Sequence, residues 1–579
     1  MLKQKKEWVL RGGDRSQNDT LISTLLEARG VRKELEDQFF SPNFDRDLHD
    51  PFSFRHMKRV VDRILLAAAK DERVLIYGDY DVDGVTSSIM LYKLLFALGL
   101  NAEVYLPHRE NEGYGMKKGV IEEYVKKGTT LVISVDCGVS NVDEVEFANE
   151  RGVDVVIIDH HIAPSVLPKA YAIINPKVQE DGYPFRDLSA GGVAFKVVQG
   201  FLKDADGGKF AQSKGVLPGW EKWLLDLVAI STICDSMPIV GENRILVKFG
   251  LIVLSKTRRV GLRRLMEKAR LIPSSVDAMG VGFYIGPRIN AAGRMEHADI
   301  AFQLLNTIDD AEAVQLSDRL QKANTDRQKL VERIMGEARD QLRGQEKKFA
   351  LVVYGANWPA GIVGLVAGKL KDEFYRPTFV VGRAGDSITG SGRSIEELNI
   401  VEALDRLRGE NVLLKFGGHN MACGFSLIDE SSVEDFREKI DQIISRSIGH
   451  LTLSPKLVID LKLPLDQISE ALVGQILQFA PFGQGNERPK FVATNVEVVS
   501  VEPVGQTQKH IRSFMRDGNG RVWKAMGFGW KNNGHLPFET GARLDIVYEL
   551  TENEWNGNRE IQIELVDARE TKQAKLSVL

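Results

Sequence analysis

Residues 74–84 read Val-Leu-Ile-Tyr-Gly-Asp-Tyr-Asp-Val-Asp-Gly, an apolar run followed almost at once by three aspartates in alternation. The apolar run predicts a buried strand, and the apolar segment after Gly84 predicts a helix. Asp79, Asp81 and Asp83 would then lie at the carboxyl end of a strand, where alternate side chains of an extended turn point the same way. This arrangement of carboxylates suits a hard, oxygen-preferring cation.

Three further apolar runs follow, at residues 102–106, 131–135 and 154–158, with helical segments between them. Short apolar strands that alternate with helices predict an α/β fold with a doubly wound parallel sheet. In such a sheet the chemistry collects just beyond the carboxyl ends of the strands.

More candidate ligands occur at the predicted ends of these elements. Asp136 follows the run 131–135, and Asp159-His160-His161 follows the run 154–158. Asp235 ends an apolar helical run and by itself is a helix N-cap candidate. A single strand-end aspartate is often only a cap or turn former, and a buried His beside Asp can be a structural pair. Imidazole with several carboxylates is, however, also the ligand set of manganese-type sites.

Two other interpretations of the first aspartate cluster stay open. The pattern D-x-D-x-D-G also begins an EF-hand calcium loop, and an acidic turn can simply be solvated. The calcium loop is disfavoured because its twelfth position would be Met90, where a bidentate Glu is needed. A strand also precedes the cluster, where an EF-hand requires a helix.

In order and separation, the motifs DYDVDG, VDCG, DHH and CDSMP resemble the four signature motifs of the DHH phosphoesterases. The resemblance implies two divalent cations, Mn²⁺ or Mg²⁺, with Asp136 bridging them. It implies as metal ligands Asp81, Asp83, Asp136, His160 and Asp235. It implies as close catalytic supports Asp79, Asp159 and His161. His161 would contact the phosphate or assist proton transfer. Some relatives carry a His ligand where this chain has Tyr77, so we expect Asp79 or water to complete the first cation's ligands.

Other segments resemble the RecJ family of exonucleases within this superfamily. Residues 288–294 (RINAAGR) offer two arginines, which we interpret as flanking a small-residue turn that grips phosphate oxygens, although surface salt bridging is an alternative. Residues 106–115 (LPHRENEGYG), 391–394 (SGRS) and 417–424 (GGHNMACG) carry the same resemblance. Without it, the last two would be read as tight turns. The implied substrate contacts are Arg109, Tyr114, Arg288, Asn290, Arg294, Ser391, Arg393, Gly417, Gly418 and His419. Many relatives have Trp-His where this chain has Trp358-Pro359.

Five regions are predicted along the chain. They are an N-terminal segment 1–50, a DHH catalytic domain 51–300, a connecting helix 301–345, a DHH-associated α/β domain 346–452, and a β-barrel with a C-terminal tail 453–579. The connecting region is dense in charge and lacks Gly and Pro before Gly336, which favours a long helix. Short β-rich runs separated by Gly and Asn turns predict the barrel, with an OB-fold as the leading choice. Its candidate contacts to single strands are Lys509, Arg512, Phe514 and Lys524, each of which could equally serve the core or a turn.

Composition narrows the class of protein. The 579 residues carry a net charge of −4, so no global basic field draws in nucleic acid. No window reaches the roughly 18 uninterrupted apolar residues of a membrane span, and we expect a soluble, cytoplasmic protein. Cys137, Cys234 and Cys423 form no CxxC pair, which argues against a disulfide framework or a zinc ribbon.

The combined expectation is a two-metal 5′-to-3′ exonuclease that hydrolyses single-stranded DNA in repair and recombination. The polarity is implied by the resemblance alone. Single-stranded DNA is the expected partner, single-strand-binding protein and a helicase are further candidates, and we expect a monomer that does not bind membranes. One alternative is another DHH phosphodiesterase or a pyrophosphatase, for which the region beyond residue 455 would have no evident task. The other is a non-catalytic DNA-binding replication scaffold, which the nearly complete ligand set disfavours.

Overall fold

The computed structural model describes residues 6–11, 21–345, 347–531, 535–555, 558–571 and 577–578. Contacts between residues divide the chain into two compact units. One unit is Phe44–Leu453, and the other combines Met1–Asn43 with Ser454–Leu579. Among the described residues, no helix combines the length and the apolar character that a membrane crossing needs.

The described part of residues 1–43 contributes one strand and two α-helices, which are β1 (Glu7–Leu10), α1 (Leu21–Glu27) and α2 (Glu36–Phe40). No sequence pattern predicted an element in this segment. All three elements belong to the unit that also contains the C-terminal residues.

The larger unit begins with a parallel sheet of five strands. These are β2 (Arg73–Tyr77), β3 (Asn101–Tyr105), β4 (Thr129–Val135), β5 (Asp154–Ile158) and β6 (Ala172–Ile174). Their order is β3-β2-β4-β5-β6, and every neighbouring pair is parallel. The prediction of a doubly wound α/β fold is therefore confirmed. The sequence pattern missed β6 because three residues are too few to show a periodicity.

Helices cover both faces of this sheet. They are α3 (Phe44–Asp47), α4 (Met57–Ala69), α5 (Val82–Ala97), α6 (Lys118–Lys126), α7 (Val142–Asn149), α8 (Ala190–Lys203), α9 (Ala205–Ser213), α10 (Leu225–Cys234), α11 (Gly241–Leu254), α12 (Val260–Lys268), α13 (Ala278–Gly280), α14 (Gly286–Met295) and α15 (Asp299–Asn306). Val74 and Ile76 pack with α4, α5 and α8, while Leu75 and Tyr77 pack with α6 and α7. Because both faces are buried, each strand reads as a continuous apolar run.

The predicted connecting helix consists of two helices. After α15 the helical conformation is interrupted at residues 307–309, and α16 (Asp310–Leu342) then runs for 33 residues. Asp309 caps α16 by accepting a hydrogen bond from the N–H of Glu312 at 2.8 Å. The first half of α16 packs in the core of the parallel-sheet region, and its second half packs against the region that follows. The long helix therefore joins the two regions.

A second, mixed sheet follows, as the predicted second α/β region requires. Its elements are β7 (Leu351–Pro359), α17 (Ala360–Phe374), β8 (Thr378–Ala384), β9 (Ser387–Arg393), α18 (Ile400–Asp405), β10 (Leu413–His419), β11 (Ala422–Leu427) and α19 (Ser432–Ile448). The order is β10-β11-β9-β8-β7, and only β7 and β8 are parallel. The segments SGRS and GGH, which could be read as tight turns, therefore lie on strands β9 and β10 of the sheet, with β11 between them.

The other unit is built around a closed barrel. Its C-terminal elements are β12 (Lys456–Ile459), β13 (Leu461–Lys462), α20 (Glu470–Leu477), β14 (Phe491–Val504), β15 (His510–Arg516), β16 (Val522–Gly527), β17 (Arg543–Trp555), β18 (Asn558–Glu570) and β19 (Ser577–Val578). Pairing runs β14-β15-β16-β18-β17, and β17 pairs with β14 to close the barrel, which confirms the predicted OB-type fold. β1 adds to this unit by pairing in parallel with β12 and β19. Trp8 is buried there, and its indole N–H donates to Asp567 at 2.7 Å.

Candidate metal centre and adjoining pocket

The carboxyl ends of three neighbouring strands carry the predicted acidic and imidazole residues. Asp79 follows β2, Asp136 follows β4, and Asp159 follows β5. The strand order reverses at β2, whose neighbours are β3 and β4, and such a reversal opens a crevice at this edge of the sheet. Asp235 reaches the same crevice from the end of α10. It is the C-cap residue of that helix, so the N-cap interpretation of Asp235 was wrong.

The side chains form compact groups that could each hold a cation. Ligand atoms of Asp79, Asp81 and Asp136 all lie within 4.8 Å of one another, and so do those of Asp83, His160 and Asp235. Asp136, His160 and His161 make a third group of the same size. Asp136 thus belongs both to the first group and to the third, which contains His160 and His161. The structure therefore brings together seven of the eight side chains that the sequence singled out here, and the eighth, Asp159, is hydrogen-bonded to His161 at 2.8 Å.

The loop between β2 and α5 holds its aspartates in fixed positions. Asp81 caps α5 by accepting hydrogen bonds from the N–H groups of Asp83 and Gly84 at 2.9 and 3.2 Å. Asp83 accepts from the N–H groups of Ala190 and Gly191, both at 2.8 Å. A Cβ on Gly84 would lie 2.5 Å from the carbonyl oxygen of Asp79, so only glycine fits where the loop folds back on the helix.

Asp136 adopts an unusual backbone conformation, with a φ of +59°. Residues other than glycine rarely occupy this left-handed region, although Asp and Asn tolerate it best. The backbone N–H of Asp136 donates to the carbonyl of Ile158 at 3.0 Å, which ties the ends of β4 and β5 together. Conformational strain at a carboxylate in a crevice is typical of a functional position.

Asp159 organises the turn that carries the two histidines. Its Oδ1 accepts hydrogen bonds from the backbone N–H of His160 at 2.7 Å, the backbone N–H of His161 at 3.1 Å and the His161 ring Nδ1 at 2.8 Å. Its Oδ2 accepts from the N–H of Val139 at 3.0 Å. Burial alone would raise the pKa of Asp159, but these donors outweigh it and hold the pKa at about 2. Asp159 therefore supports the two histidines, and it belongs to none of the three ligand groups.

His160 presents one ring nitrogen to the acidic groups. Its Nε2 lies 3.3 Å from Oδ1 of Asp136, 3.6 Å from Oδ2 of Asp235 and 3.7 Å from Oδ2 of Asp83. Burial and the adjacent His161 lower the pKa of His160 to about 3, so the ring is neutral. A neutral imidazole can direct a lone pair at a cation.

The electrostatics of the crevice fit divalent cations. Burial raises the pKa of Asp83 to about 6 and that of Asp235 to about 8, with repulsion from neighbouring aspartates adding to the effect. The same causes raise the pKa of Asp79 and Asp136 well above the ordinary value. Asp79 Oδ1 and Asp136 Oδ1 are buried and accept no hydrogen bond within the described chain. Carboxylates crowded in this way are stabilised by a doubly charged cation, and oxygens with imidazole suit Mn²⁺ or Mg²⁺.

A cavity of about 880 Å³ adjoins this centre. Six of the predicted substrate contacts lie in its wall, namely Arg109, Tyr114, Arg294, Ser391, Arg393 and Gly417. Tyr114 links the cavity to the metal centre, because its hydroxyl donates to the carbonyl of Asp136 at 3.1 Å and lies 3.1 Å from Nδ1 of His161.

Three arginines give part of the cavity wall a positive charge that suits an anion. In the part of the chain that the structure describes, Arg109, Arg294 and Arg393 form no salt bridge with a carboxylate. Burial, together with the charges of Arg109 and Arg327, lowers the pKa of Arg294 to about 9. Glu110 and Glu112 also line the wall, and the carboxylate of Glu112 is bonded to the hydroxyl of Tyr105 and to the N–H of His108. Neighbouring arginines without acidic partners are stabilised by an anion such as phosphate.

Four predicted substrate contacts lie outside the cavity wall. They are Arg288, Asn290, Gly418 and His419. The RINAAGR segment is part of helix α14, so the expectation of a turn was wrong. Arg288 bonds to Gln321 at 2.8 Å and to the carbonyl of Tyr284 at 2.7 Å. Gly418, with a φ of +146°, precedes the β10–β11 hairpin turn, and a Cβ there would lie 2.3 Å from the carbonyl of Ala422.

The two positions where this chain departs from its family pattern are accommodated structurally. Tyr77 is buried, and its hydroxyl donates to the carbonyl of Gly115 at 3.4 Å. It therefore joins none of the three ligand groups. Trp358 is buried with its indole N–H 2.6 Å from Glu337, and Pro359 is the N-cap of α17.

Lys177 is a cation near the centre that sequence reasoning missed. Its backbone N–H donates to Asn175 Oδ1 at 2.8 Å, and Asn175 Nδ2 donates to the carbonyl of His161 at 3.0 Å. Burial lowers the pKa of His419, and the charges of His161 and Lys177 lower it further. Lys177 follows β6, so recognising that short strand would have placed it at the same edge of the sheet.

Known families correspond to each region. The chain matches the model of the DHH family, N-terminal domain, over residues 73–232, that of the DHHA1 domain over 346–446, and that of the RecJ OB domain over 459–567. The parallel sheet with Asp159-His160-His161 at its edge thus defines a DHH-family protein.

Comparison with whole proteins shows which family of DHH proteins the chain resembles. The chain is 34% identical over 582 residues to the single-stranded-DNA-specific exonuclease RecJ of Bacillus subtilis, covering 98% of this chain and 71% of that protein. It is 31% identical to the corresponding protein of Haemophilus influenzae, covering 96% of this chain and 97% of that one. The crystal structure of RecJ in complex with Mn²⁺ from Thermus thermophilus is similar with a TM-score of 0.80 and 26% identity, covering 99% of this chain and 80% of that one. The chain belongs to the RecJ family.

Proposed function

We propose that the protein is a metal-dependent exonuclease that hydrolyses single-stranded DNA in the 5′-to-3′ direction. The observation that carries this proposal is the junction at Tyr114, where groups of cation ligands meet an arginine-lined cavity. A phosphodiester backbone requires both features, since cations act on the bond that is cut and arginines hold a neighbouring phosphate. The relatives named single-stranded-DNA-specific exonucleases support the choice of substrate.

The cofactors are two divalent cations, Mn²⁺ or Mg²⁺. Solved relatives in complex with each ion support this choice. We assign Asp79, Asp81 and Asp136 to one cation, and Asp83, His160 and Asp235 to the other, with Asp136 bridging. This assignment gives Asp79 a ligand role at the site where Tyr77 replaces a histidine. The assignment is supported by Oδ1 of Asp79 and Oδ1 of Asp136, which are buried and accept no hydrogen bond from a described residue.

The side chains around the cations have distinct tasks. Bound cations supply Lewis-acid stabilisation of the attacking and leaving oxygens of the phosphodiester. Asp159 fixes the orientation of His161 by accepting from its Nδ1, which leaves Nε2 to face the substrate. The same carboxylate raises the pKa of His161 against the effect of burial. His161 therefore serves as a hydrogen-bond donor to a phosphate oxygen or as a proton donor to the leaving 3′ oxygen.

The cavity is the place for the terminal phosphate of the strand. Arg393 is held by Ser391, whose hydroxyl oxygen accepts from Nη1 at 2.8 Å, and Arg294 donates to the carbonyl of Gly361 at 2.8 Å. Gly361 and Gly364 bring the start of α17 into the same wall. A helix N-terminus and arginines together form a favourable phosphate site. If the cavity binds a 5′-phosphate, the strand enters with its 5′ end first, and hydrolysis then proceeds from 5′ to 3′.

The barrel offers a second surface for single strands. Phe514 and Lys524 are cross-strand neighbours on β15 and β16, and Ile511, Ser513 and Met515 alternate with Phe514 into the interior. Lys524 pairs with Glu560 and Arg512 pairs with Glu502, so Lys509 and Phe514 are the stronger candidates. Stacking of a base on an aromatic ring contributes about 1 to 3 kcal/mol.

The biological setting follows from the substrate. Single strands arise where a helicase opens a duplex, and single-strand-binding protein covers them. We therefore include both as partners in the proposal, together with a monomeric state, a cytoplasmic location and a role in repair and recombination.

End-labelled substrates test the proposal directly. Single-stranded DNA, blunt duplex DNA and RNA of one sequence, each labelled at the 5′ or the 3′ end, would be incubated with Mn²⁺ or Mg²⁺ and resolved by length. We expect a 5′ label on single-stranded DNA to be released as a short product while a 3′ label reports a shrinking ladder. The opposite ladder would overturn the polarity. Cutting that persists in excess chelator would overturn the metal mechanism.

A further inference from the structure

We propose that Tyr80 is a positioning residue that holds Arg109 in the phosphate cavity, and so determines preference for a substrate with a terminal phosphate. This inference rests on the proposed function. Tyr80 lies between the aspartates of the first motif, and nothing in the motif's acidic pattern requires an aromatic residue there.

The contact between the two side chains is a cation–π interaction. The guanidinium carbon of Arg109 lies 4.6 Å from the centre of the Tyr80 ring. Arginine is attracted to the face of an aromatic ring at this distance, most strongly where water is excluded. Tyr80 is half-buried, so water only partly screens the contact.

No hydrogen bond or ion pair within the described chain fixes the Arg109 side chain. The neighbouring charges act in opposite directions, since Arg294 and Arg393 repel the Arg109 guanidinium while Asp79 attracts it. The Tyr80 ring is therefore the side chain that contacts the guanidinium directly and fixes its position beside two other arginines.

Tyr80 itself has little freedom to move. A Cβ placed on Gly293 would lie 2.6 Å from the carbonyl oxygen of Tyr80 and 3.5 Å from its Cβ, so α14 packs directly on this residue. The next residue of α14 is Arg294, which lines the cavity. The flanking Asp79 and Asp81 belong to a cation-ligand group. Tyr80 thus connects the metal loop to two arginines of the phosphate cavity.

Tyr80→Leu removes the aromatic face and keeps an apolar side chain. Loss of a partly buried cation–π contact should raise KM for a 5′-phosphorylated single strand about 3- to 30-fold. KM for the same strand with a 5′-hydroxyl should stay unchanged, and kcat should change less than about twofold because the cation ligands are retained. Tyr80→Phe keeps the ring face and should restore the KM of the unaltered protein.

Two controls separate this role from a structural one. Phe147→Leu removes a comparable contact on α7, where the Arg151 guanidinium lies 3.3 Å from the ring centre, and should leave both KM values unchanged. A double-mutant cycle with Arg109→Ala should show that Tyr80→Leu has no further effect once Arg109 is gone. Arg109→Lys, with Tyr80 intact, loses the planar stack and should reproduce the KM change even if Tyr80→Leu does not fold.

Several results would overturn the inference while the proposed function stands. One is an equal rise of KM for both substrates, and another is a Tyr80→Phe variant as impaired as Tyr80→Leu. Equal KM values of the unaltered protein for the phosphorylated and hydroxyl strands would do the same. Failure of the unaltered protein to cut either strand with Mn²⁺ or Mg²⁺ would instead refute the proposed function.

Discussion

Nε2 of His160 lies 3.3 Å from Oδ1 of Asp136, although the two residues follow different strands, β5 and β4. Both groups are buried, and Oδ1 of Asp136 accepts no hydrogen bond from any described residue. A neutral imidazole lone pair and a carboxylate oxygen repel each other at this distance unless a proton or a cation lies between them. In our proposed assignment, Asp136 of this pair is the ligand that the two cations would share.

Asp136→Asn should abolish nuclease activity, with kcat falling by about 10³-fold or more. An amide keeps the shape of the side chain but cannot bridge two cations. Asn also tolerates the left-handed backbone of this position, so the fold should persist. Release of label from 5′-labelled single-stranded DNA with Mn²⁺ measures the loss, and circular dichroism checks the fold.

Asp143→Asn is the matched control, because Asp143 is an exposed carboxylate on α7. It should retain full activity. A second consequence concerns the metal-free protein, in which burial and neighbouring aspartates raise the pKa of Asp136. Asp136→Asn removes this charge and should raise the melting temperature in chelator at pH 8. A large decrease in that melting temperature would contradict the conclusion that the aspartates of the metal-free centre repel one another.

The stability of the metal-free protein should fall as pH rises. The folded pKa values of Asp83 and Asp235, about 6 and about 8, lie above the unfolded value near 4. Between these values the folded state binds more protons than the unfolded state, so raising the pH favours unfolding. The penalty is absent below about pH 4 and complete above about pH 8.

Added Mn²⁺ should therefore stabilise the protein more at pH 8 than at pH 5. At pH 5 the cation must displace protons from these aspartates, whereas at pH 8 it binds carboxylates that already repel one another. Thermal melting in chelator and in excess Mn²⁺ at both pH values tests this, with an expected gain of a few degrees at pH 8 and less at pH 5. A gain independent of pH would contradict the assignment of these carboxylates as ligands.

The sequence predicted the features that depend on local pattern. Apolar runs located β2 to β5, and because parallel strands end at one edge, the aspartates after β2, β4 and β5 had to meet there. The sequence could not reveal β6, whose three residues carry no periodicity, and it therefore missed Lys177. It also could not reveal that β1 pairs with β12, a pairing in which Glu7 lies opposite Lys456. Pairing over such a distance leaves no local signal.

The RINAAGR segment shows a second limit of sequence reasoning. Its small residues suggested a turn, but they permit close packing of α14, where Gly293 meets the backbone of Tyr80. Small residues serve a tight turn and a close helix contact equally well, and only tertiary structure distinguishes them. Arg294 lines the cavity and Arg288 does not, so the expected two-arginine grip does not form.

The arginine on β9 permits a direct test of the cavity. Arg393→Met should raise KM for 5′-phosphorylated single strands about 10- to 150-fold, since a charge-assisted hydrogen bond to phosphate contributes about 1.5 to 3 kcal/mol. The dependence of log KM on log salt concentration should also become shallower, because one phosphate contact is lost. Steady-state kinetics at two salt concentrations measure both effects.

Arg288→Met removes the same charge from a residue that the sequence pattern also proposed as a phosphate contact. In the structure Arg288 bonds to Gln321 and Tyr284 and lies outside the cavity wall, so the KM of this variant should change less than about twofold. Both variants replace an arginine with methionine and so remove the same charge. A difference between their KM values therefore reports where the arginine lies, and not the loss of charge as such. If Arg288→Met raised KM as much as Arg393→Met, the strand would have to pass along α14 and not only through the cavity.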